Sequence, residues 1–145
     1  MSVKVIAPNQ IGGMTMAQFL VPYTAQTYAA LRIVAGFLFL WHGAQKLFSF
    51  PIPAMEGMPA FIQFGAGSIE LVGGALVMIG LFTRWAAFVC SGMMAVAYWM
   101  AHGLNALFPI QNGGELAALY CFLFLFIAAN GSGIWSVEGA KTTSA

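Results

Sequence analysis

The sequence predicts an all-α integral membrane protein, a four-helix bundle, and three observations carry that prediction. The chain of 145 residues is 61% hydrophobic and only 6% charged, with a mean hydropathy of +0.86, whereas soluble domains carry about 25% charged residues. Four apolar stretches, at about 27–48, 62–82, 85–104 and 114–130, match the roughly 20 residues a helix needs to cross a hydrocarbon core about 30 Å thick. Helix breakers separate them: Pro51, Pro53, Gly57 and Pro59 after the first, the tight Thr83-Arg84 link after the second, and Asn105, Pro109, Asn112, Gly113 and Gly114 after the third. Connections this short make consecutive helices antiparallel neighbours, and 145 residues leave no room for a second domain.

The first helix contains Phe37 to Phe48, FLFLWHGAQKLF, which sets His42 and Lys46 one turn apart inside an apolar run. At about 100° per residue, Arg32, Ala35, Gly36, Phe39, His42, Gly43 and Lys46 fall within a stripe of roughly 120°. A charge in hydrocarbon costs about 2.5–3.5 kcal/mol even on the lenient insertion scale, so this stripe should face the bundle or water. The second helix supplies a partner. Glu70 has Ala66 and Gly67 one turn before it and Gly73 and Gly74 one turn after it, small residues that let another helix approach closely. Because the first two helices run antiparallel, His42, Lys46 and Glu70 share one half of the membrane, and Glu70 is expected to pair with His42 or Lys46.

The third helix adds His102 at the same end, and the fourth begins there with Asn112 and Glu115. Arg32 lies at the other end, at the depth of Arg84 and Asn130. Two polar layers result, and the one with His42, Lys46, Glu70, His102 and Glu115 is the richer in protonatable groups. Together with Arg32 these residues form the candidate binding core.

Residues 1–26 read as an N-terminal cytoplasmic tail or surface segment, 27–138 as the four-helix domain and 139–145 as a C-terminal tail. The start, MSVKVIAPNQIGGM, lacks the pattern of a cleaved secretory signal. With both termini on one side, that side holds Lys4, Arg84 and Lys141, with Arg32 just inside, against Lys46 alone opposite. The positive-inside rule then makes both termini cytoplasmic and puts the 49–61 and 105–113 loops outside. A net charge of +1 without a basic run gives no nucleic-acid footprint. The expected partners are the lipid bilayer and other membrane-protein subunits.

The succession LRIVAGFLFLWHGAQKLF, GSIELVGGALVMIGLFTR and NGGELAALYCFLFLFIAANGSGIWSVE resembles the DoxX family of small bacterial and archaeal four-helix membrane proteins, over about residues 28–138. The elements that carry the resemblance are Arg32, His42-Gly43-x-x-Lys46, Glu70 followed by Gly73-Gly74, the Gly80-Leu-Phe-Thr-Arg84 ending and Asn112-Gly-Gly-Glu115. Similar proteins often have Asp at the position of Glu138 and a basic residue near Ile134. The resemblance implies location in the inner membrane and an association with redox and sulfur metabolism, through a relationship to membrane subunits of thiosulfate:quinone oxidoreductase.

Each polar residue also has a plain structural reading. Arg32, Lys46, Glu70 and Glu115 can serve as ion pairs or carbonyl caps that fix helix register, Lys46 can snorkel outward, and hydrogen bonding is the favoured role for both histidines. A bis-histidine haem across the first and third helices is geometrically open but disfavoured, and no third ligand completes a zinc site. Cys90 and Cys121 differ in depth by roughly 9 Å at about 1.5 Å per residue, too far for a disulfide, so two free, buried thiols are expected. There is no CxxC, which argues against dithiol chemistry. Methionines and phenylalanines read as packing and lipid-facing residues.

Two functions from different classes follow. One is a non-catalytic, accessory subunit of a membrane redox complex, the favoured reading, because the sequence carries no flavin, nicotinamide or iron-sulfur motif and electrons would come from a partner. The alternative is an oxidoreductase subunit that binds quinone or a small sulfur species at an outer His/Glu/Lys site; a small transporter using Glu70 comes third. The sequence assigns no catalytic residue.

Overall fold

The computed structural model describes residues 16–143, and every regular element in them is helical. A 3-10 segment, Met16–Tyr23, leads into helix α1, Thr24–Phe48. Helix α2 covers Ile62–Ile79, and α3 covers Thr83–Tyr98 before continuing as a π-wound turn, Trp99–Gly103. A single turn, Pro109–Asn112, precedes α4, Glu115–Asn130, and the short α5, Val137–Thr143, follows. The segment expected as a C-terminal tail thus continues a helix as far as residue 143.

Helix ends fall where the backbone chemistry requires them. Helix α1 stops at Ser49, which adopts a left-handed conformation at φ 53° and returns its N–H to the Gln45 carbonyl. Helix α2 stops at Gly80, φ 71°, a conformation that costs glycine nothing. The N–H groups of Gly80 and Leu81 then bond back to the carbonyls of Val77 and Leu76. This closure makes the α2–α3 link a sharp reversal.

Helix α1 packs on α2, and α3 packs on both α2 and α4. The α1–α2 contact is backbone against backbone. A Cβ on Gly36 would lie 2.5 Å from the Met78 nitrogen, and one on Gly43 would collide with the backbone of Gly67 and Leu71. Between the helices sits a small core in which Phe39 meets Phe124 at 4.6 Å between ring centroids and Tyr120 at 5.2 Å. Val77, Ala87, Cys90 and Ile127 complete it.

The outward surface is unusually apolar. Phe88, Phe122, Trp85, Trp99 and Leu119 are all exposed, well beyond the scattered apolar residues of a soluble surface. Four membrane-length apolar helices were expected from the sequence. Among the described residues one, Ile62–Ile79, is long and apolar enough by length and composition, and Glu115–Asn130 is a shorter apolar helix. The difference has a simple source: α1 is long but diluted by Arg32, His42, Gln45 and Lys46, and regular α winding in α3 and α4 covers 16 residues each.

Candidate functional site

At the end of the molecule where α1 finishes and α2 begins, the antiparallel pairing brings Lys46 opposite Glu70. The Lys46 ammonium donates to both carboxylate oxygens, 2.8 Å to Oε1 and 2.7 Å to Oε2. The two side chains are only 18% and 7% exposed. The expected pairing of Glu70 with a helix-one cation therefore holds, and Lys46 is the partner. An ammonium carries three N–H donors, so this arrangement commits two and leaves one.

The pair forms part of the wall of a cavity of about 540 Å³, which His42, His102, Phe39, Met94 and Tyr120 also line. Residues 55–59 of the loop after α1 line it as well. That volume falls in the range of small-molecule sites, roughly 300–1,000 Å³, which are mostly apolar with a few placed polar groups. His42 stands edge-on to Tyr120, ring centroids 6.4 Å apart. The Nδ1 atom of His102 is 2.9 Å from the Asn112 carbonyl. The Asn112 amide in turn donates to Ala106 O and Tyr98 Oη, while its side-chain oxygen accepts from the Gly114 N–H. A polar frame thus fixes the His102 ring.

Winding decides two of these placements. Glu70 lies in a π-wound turn, Ile69–Gly73, and His102 in another, Trp99–Gly103. An i→i+5 turn inserts an extra residue relative to α winding, re-aims the side chains after it, and is common at functional sites. Nothing in the hydropathy pattern marks it, so the sequence could give the depth of Glu70 and His102 but not their aim.

The remaining candidates lie elsewhere. Glu115 is exposed in the first turn of α4, where the helix dipole favours a carboxylate; it lies at the cavity end of the molecule, next to the lining residues Leu116 and Ala117, but is not itself part of the cavity wall. Arg32 is completely buried near the other end of the molecule. Its guanidinium donates to the carbonyls of Val77 (2.7 Å) and Met78 (2.8 Å) at the end of α2, and of Ile134 (3.3 Å) and Trp135 (2.7 Å) beyond α4. Arg84 similarly caps α4 through the carbonyls of Ala128, Ala129 and Asn130, and Tyr28 Oη donates to Gly131 O at 2.5 Å. Met78, Ala128, Ala129 and Asn130 are among the last residues of their helices, whose carbonyls the helix itself leaves without partners. The sequence named Arg32 and Arg84 but not their acceptors, since every backbone residue offers the same carbonyl.

Cys90 and Cys121 are both free; Cys90 is buried and Cys121 half-buried, with Ser91 Oγ donating to the Cys121 carbonyl at 2.7 Å. Among the described residues no group of three or more His, Cys, Asp or Glu side chains could hold a metal ion.

The DoxX family model matches residues 27–103. An uncharacterised protein of Haemophilus influenzae is 43% identical over 122 residues, covering 80% of this chain and 91% of that protein. A Bacillus subtilis protein named "Putative oxidoreductase CatD" is 36% identical over 111 residues, covering 70% of this chain and 77% of that protein. No solved structure matches. The match spans more than half the chain, through the arginine, the histidine-lysine pair and the glutamate whose geometry is described above, and the chain belongs to the DoxX family.

Proposed function

We propose that this protein is a multi-pass, four-helix subunit of a redox complex in a bacterial or archaeal cell membrane, and that its cavity holds a quinone or a small sulfur species. Residues 27–138 form the membrane domain, and both termini face the cytoplasm. The carrying observation is the cavity itself, in which Lys46, Glu70, His42 and His102 converge among aromatic and aliphatic walls.

Several features support the membrane setting. Helix α1, with 25 residues, reaches about 37 Å at about 1.5 Å per residue, enough to cross. The outward faces of the helices are apolar, and the four tryptophans, all exposed, divide between the two ends, Trp41 and Trp99 at the cavity end and Trp85 and Trp135 at the arginine end. Tryptophan favours the two membrane interfaces. The arginines mark the cytoplasmic side, so the cavity lies in the outer half. The oxidoreductase name of the Bacillus subtilis relative accords with a redox setting. Electrons come from a partner subunit, and this chain's role is accessory: it holds the ring and offers hydrogen bonds and protons to its oxygens.

The test is binding. Purified protein titrated with decylubiquinone should bind it, and Ala97→Phe, which fills the cavity wall, should weaken binding more than about tenfold by displacing the ligand from its apolar contacts. Wild-type protein that binds neither the analogue nor thiosulfate, and yields no quinone on solvent extraction, sinks this reading.

A second reading, a pure packing subunit, has one observation in its favour: the Lys46–Glu70 pair already satisfies two ammonium donors and both carboxylate oxygens. Glu70→Gln separates the readings. A packing role predicts poor insertion or loss from the complex, because the ammonium loses its counter-charge. A proton-relay role predicts a folded, assembled protein without quinone-linked turnover, since an amide does not titrate.

A further inference from the structure

The hydrogen bonding around His102 has a consequence for what the cavity can hold. A backbone carbonyl has no proton to give, so the hydrogen in the 2.9 Å contact between His102 Nδ1 and Asn112 O sits on Nδ1. In the neutral ring the second nitrogen, Nε2, is then bare and can only accept. His102 lines the cavity, and with Nδ1 engaged, Nε2 is the ring atom left to meet a ligand. The Asn112 frame stabilises this state, because the carbonyl it presents to His102 belongs to a residue tied on three sides, to Ala106, Tyr98 and Gly114. Elsewhere on the wall the polarity is reversed. Lys46 spends two N–H groups on Glu70 and keeps one, which can only donate.

We infer that the cavity selects a ligand bearing a hydroxyl donor toward His102 and an oxygen acceptor toward Lys46, that is, the reduced, hydroquinone form of a quinone in preference to the oxidised form. A quinone has carbonyl oxygens alone, and one turned toward Nε2 sets two lone pairs against each other. A hydroquinone has a hydroxyl at each end of the ring: one donates to Nε2, and the oxygen of the other accepts from Lys46. The flat ring lies among Phe39, Met94 and Tyr120 in either form, so the apolar contacts do not discriminate. His102 is therefore a specificity-determining residue.

This inference rests on the proposed binding of a quinone-type ring, and the experiment separates the two. Decylubiquinol and decylubiquinone are titrated, under nitrogen, into wild-type protein and into His102→Phe, which keeps a ring but offers no acceptor. The wild type should bind the quinol about tenfold more tightly than the quinone, the worth of one buried hydrogen bond plus the avoided repulsion, and His102→Phe should bind both alike. Equal affinities in the wild type overturn the selectivity while leaving the binding reading intact; failure of both ligands to bind overturns both. Because the phenylalanine variant also loses the Asn112 contact and could misfold, nitrogen-15 NMR of histidine-labelled wild-type protein provides an independent arm. The chain has two histidines, and the signal that remains when His42 is replaced by asparagine belongs to His102. It should show a protonated Nδ1 and a bare Nε2 that shifts on adding quinol. A protonated Nε2 at neutral pH overturns the inference outright.

Discussion

Lys46 and Glu70 show how a buried charge is tolerated in an apolar chain: each is the other's counter-ion, and the geometry is bidentate. Removing one partner strands the other. Lys46→Met should lower stability by about 3–5 kcal/mol, whereas Lys46→Met combined with Glu70→Leu should return close to the wild type, because the desolvation cost disappears with the attraction. Detergent unfolding of the three proteins checks this, and equal losses for the single and double variants would show that the pair is not coupled. Arg32 makes a different case. Its four acceptors are carbonyls spread over two segments, and only a planar fork reaches both. Lysine keeps the charge and loses the fork, so Arg32→Lys should still cost on the order of 3 kcal/mol from the hydrogen bonds it cannot remake. A conservative change without effect there would mean that the guanidinium does not hold the segment after α4 in place.

Among elements, the α1–α2 pair depends on glycine for closeness rather than for flexibility. A methyl group on Gly36 meets the backbone of Met78 and the carbonyl of Gly74, and backbone cannot rotate away. Gly36→Ala should therefore push the helices apart, distort the Lys46–Glu70 contact nearly three turns further along the same face, and lower the detergent melting temperature. At Gly92 on α3 a methyl group would meet nothing within 4 Å. Gly92→Ala should leave the melting temperature unchanged or raise it, in line with alanine's advantage of about 0.5–1 kcal/mol in a helix. The contrast between the two glycines is the measurement; similar effects of both would argue that α1 and α2 do not pack through their backbones.

At the scale of the whole molecule, orientation follows from very few charges. In a protein whose Cys90 and Cys121 have been replaced, a membrane-impermeant thiol probe should label Met55→Cys, in an exposed position of the loop after α1, from outside intact cells. Thr24→Cys, at the start of α1, should react only after the membrane is opened. The reverse pattern would put the cavity on the cytoplasmic side and redirect any proton exchange with it. The two ends of the molecule are built differently. The arginine end is closed by guanidinium groups on main-chain carbonyls, while the cavity lies at the end where the loop of residues 55–59 and parts of all four long helices meet.

Composition and spacing by themselves determined the helical class, the two ends at which polar residues gather, and the antiparallel pairing that set Glu70 against a cation of the first helix. These follow from one-dimensional quantities: the length of an apolar run, the position of breakers and the rise per residue. The choice of Lys46 over His42 was left to the tertiary structure, because the two are one turn apart on the same face and only the offset between α1 and α2 separates them. Tertiary structure also decided the aim of Glu70 and His102, since both sit in π-wound turns that shift register without any change in residue type. It set Glu115 apart from the residues that line the cavity, because shared depth does not imply a shared face. It supplied the acceptors of Arg32 as well, main-chain carbonyls that carry no signature in the sequence and become neighbours only when the end of α2 and the segment after α4 fold together.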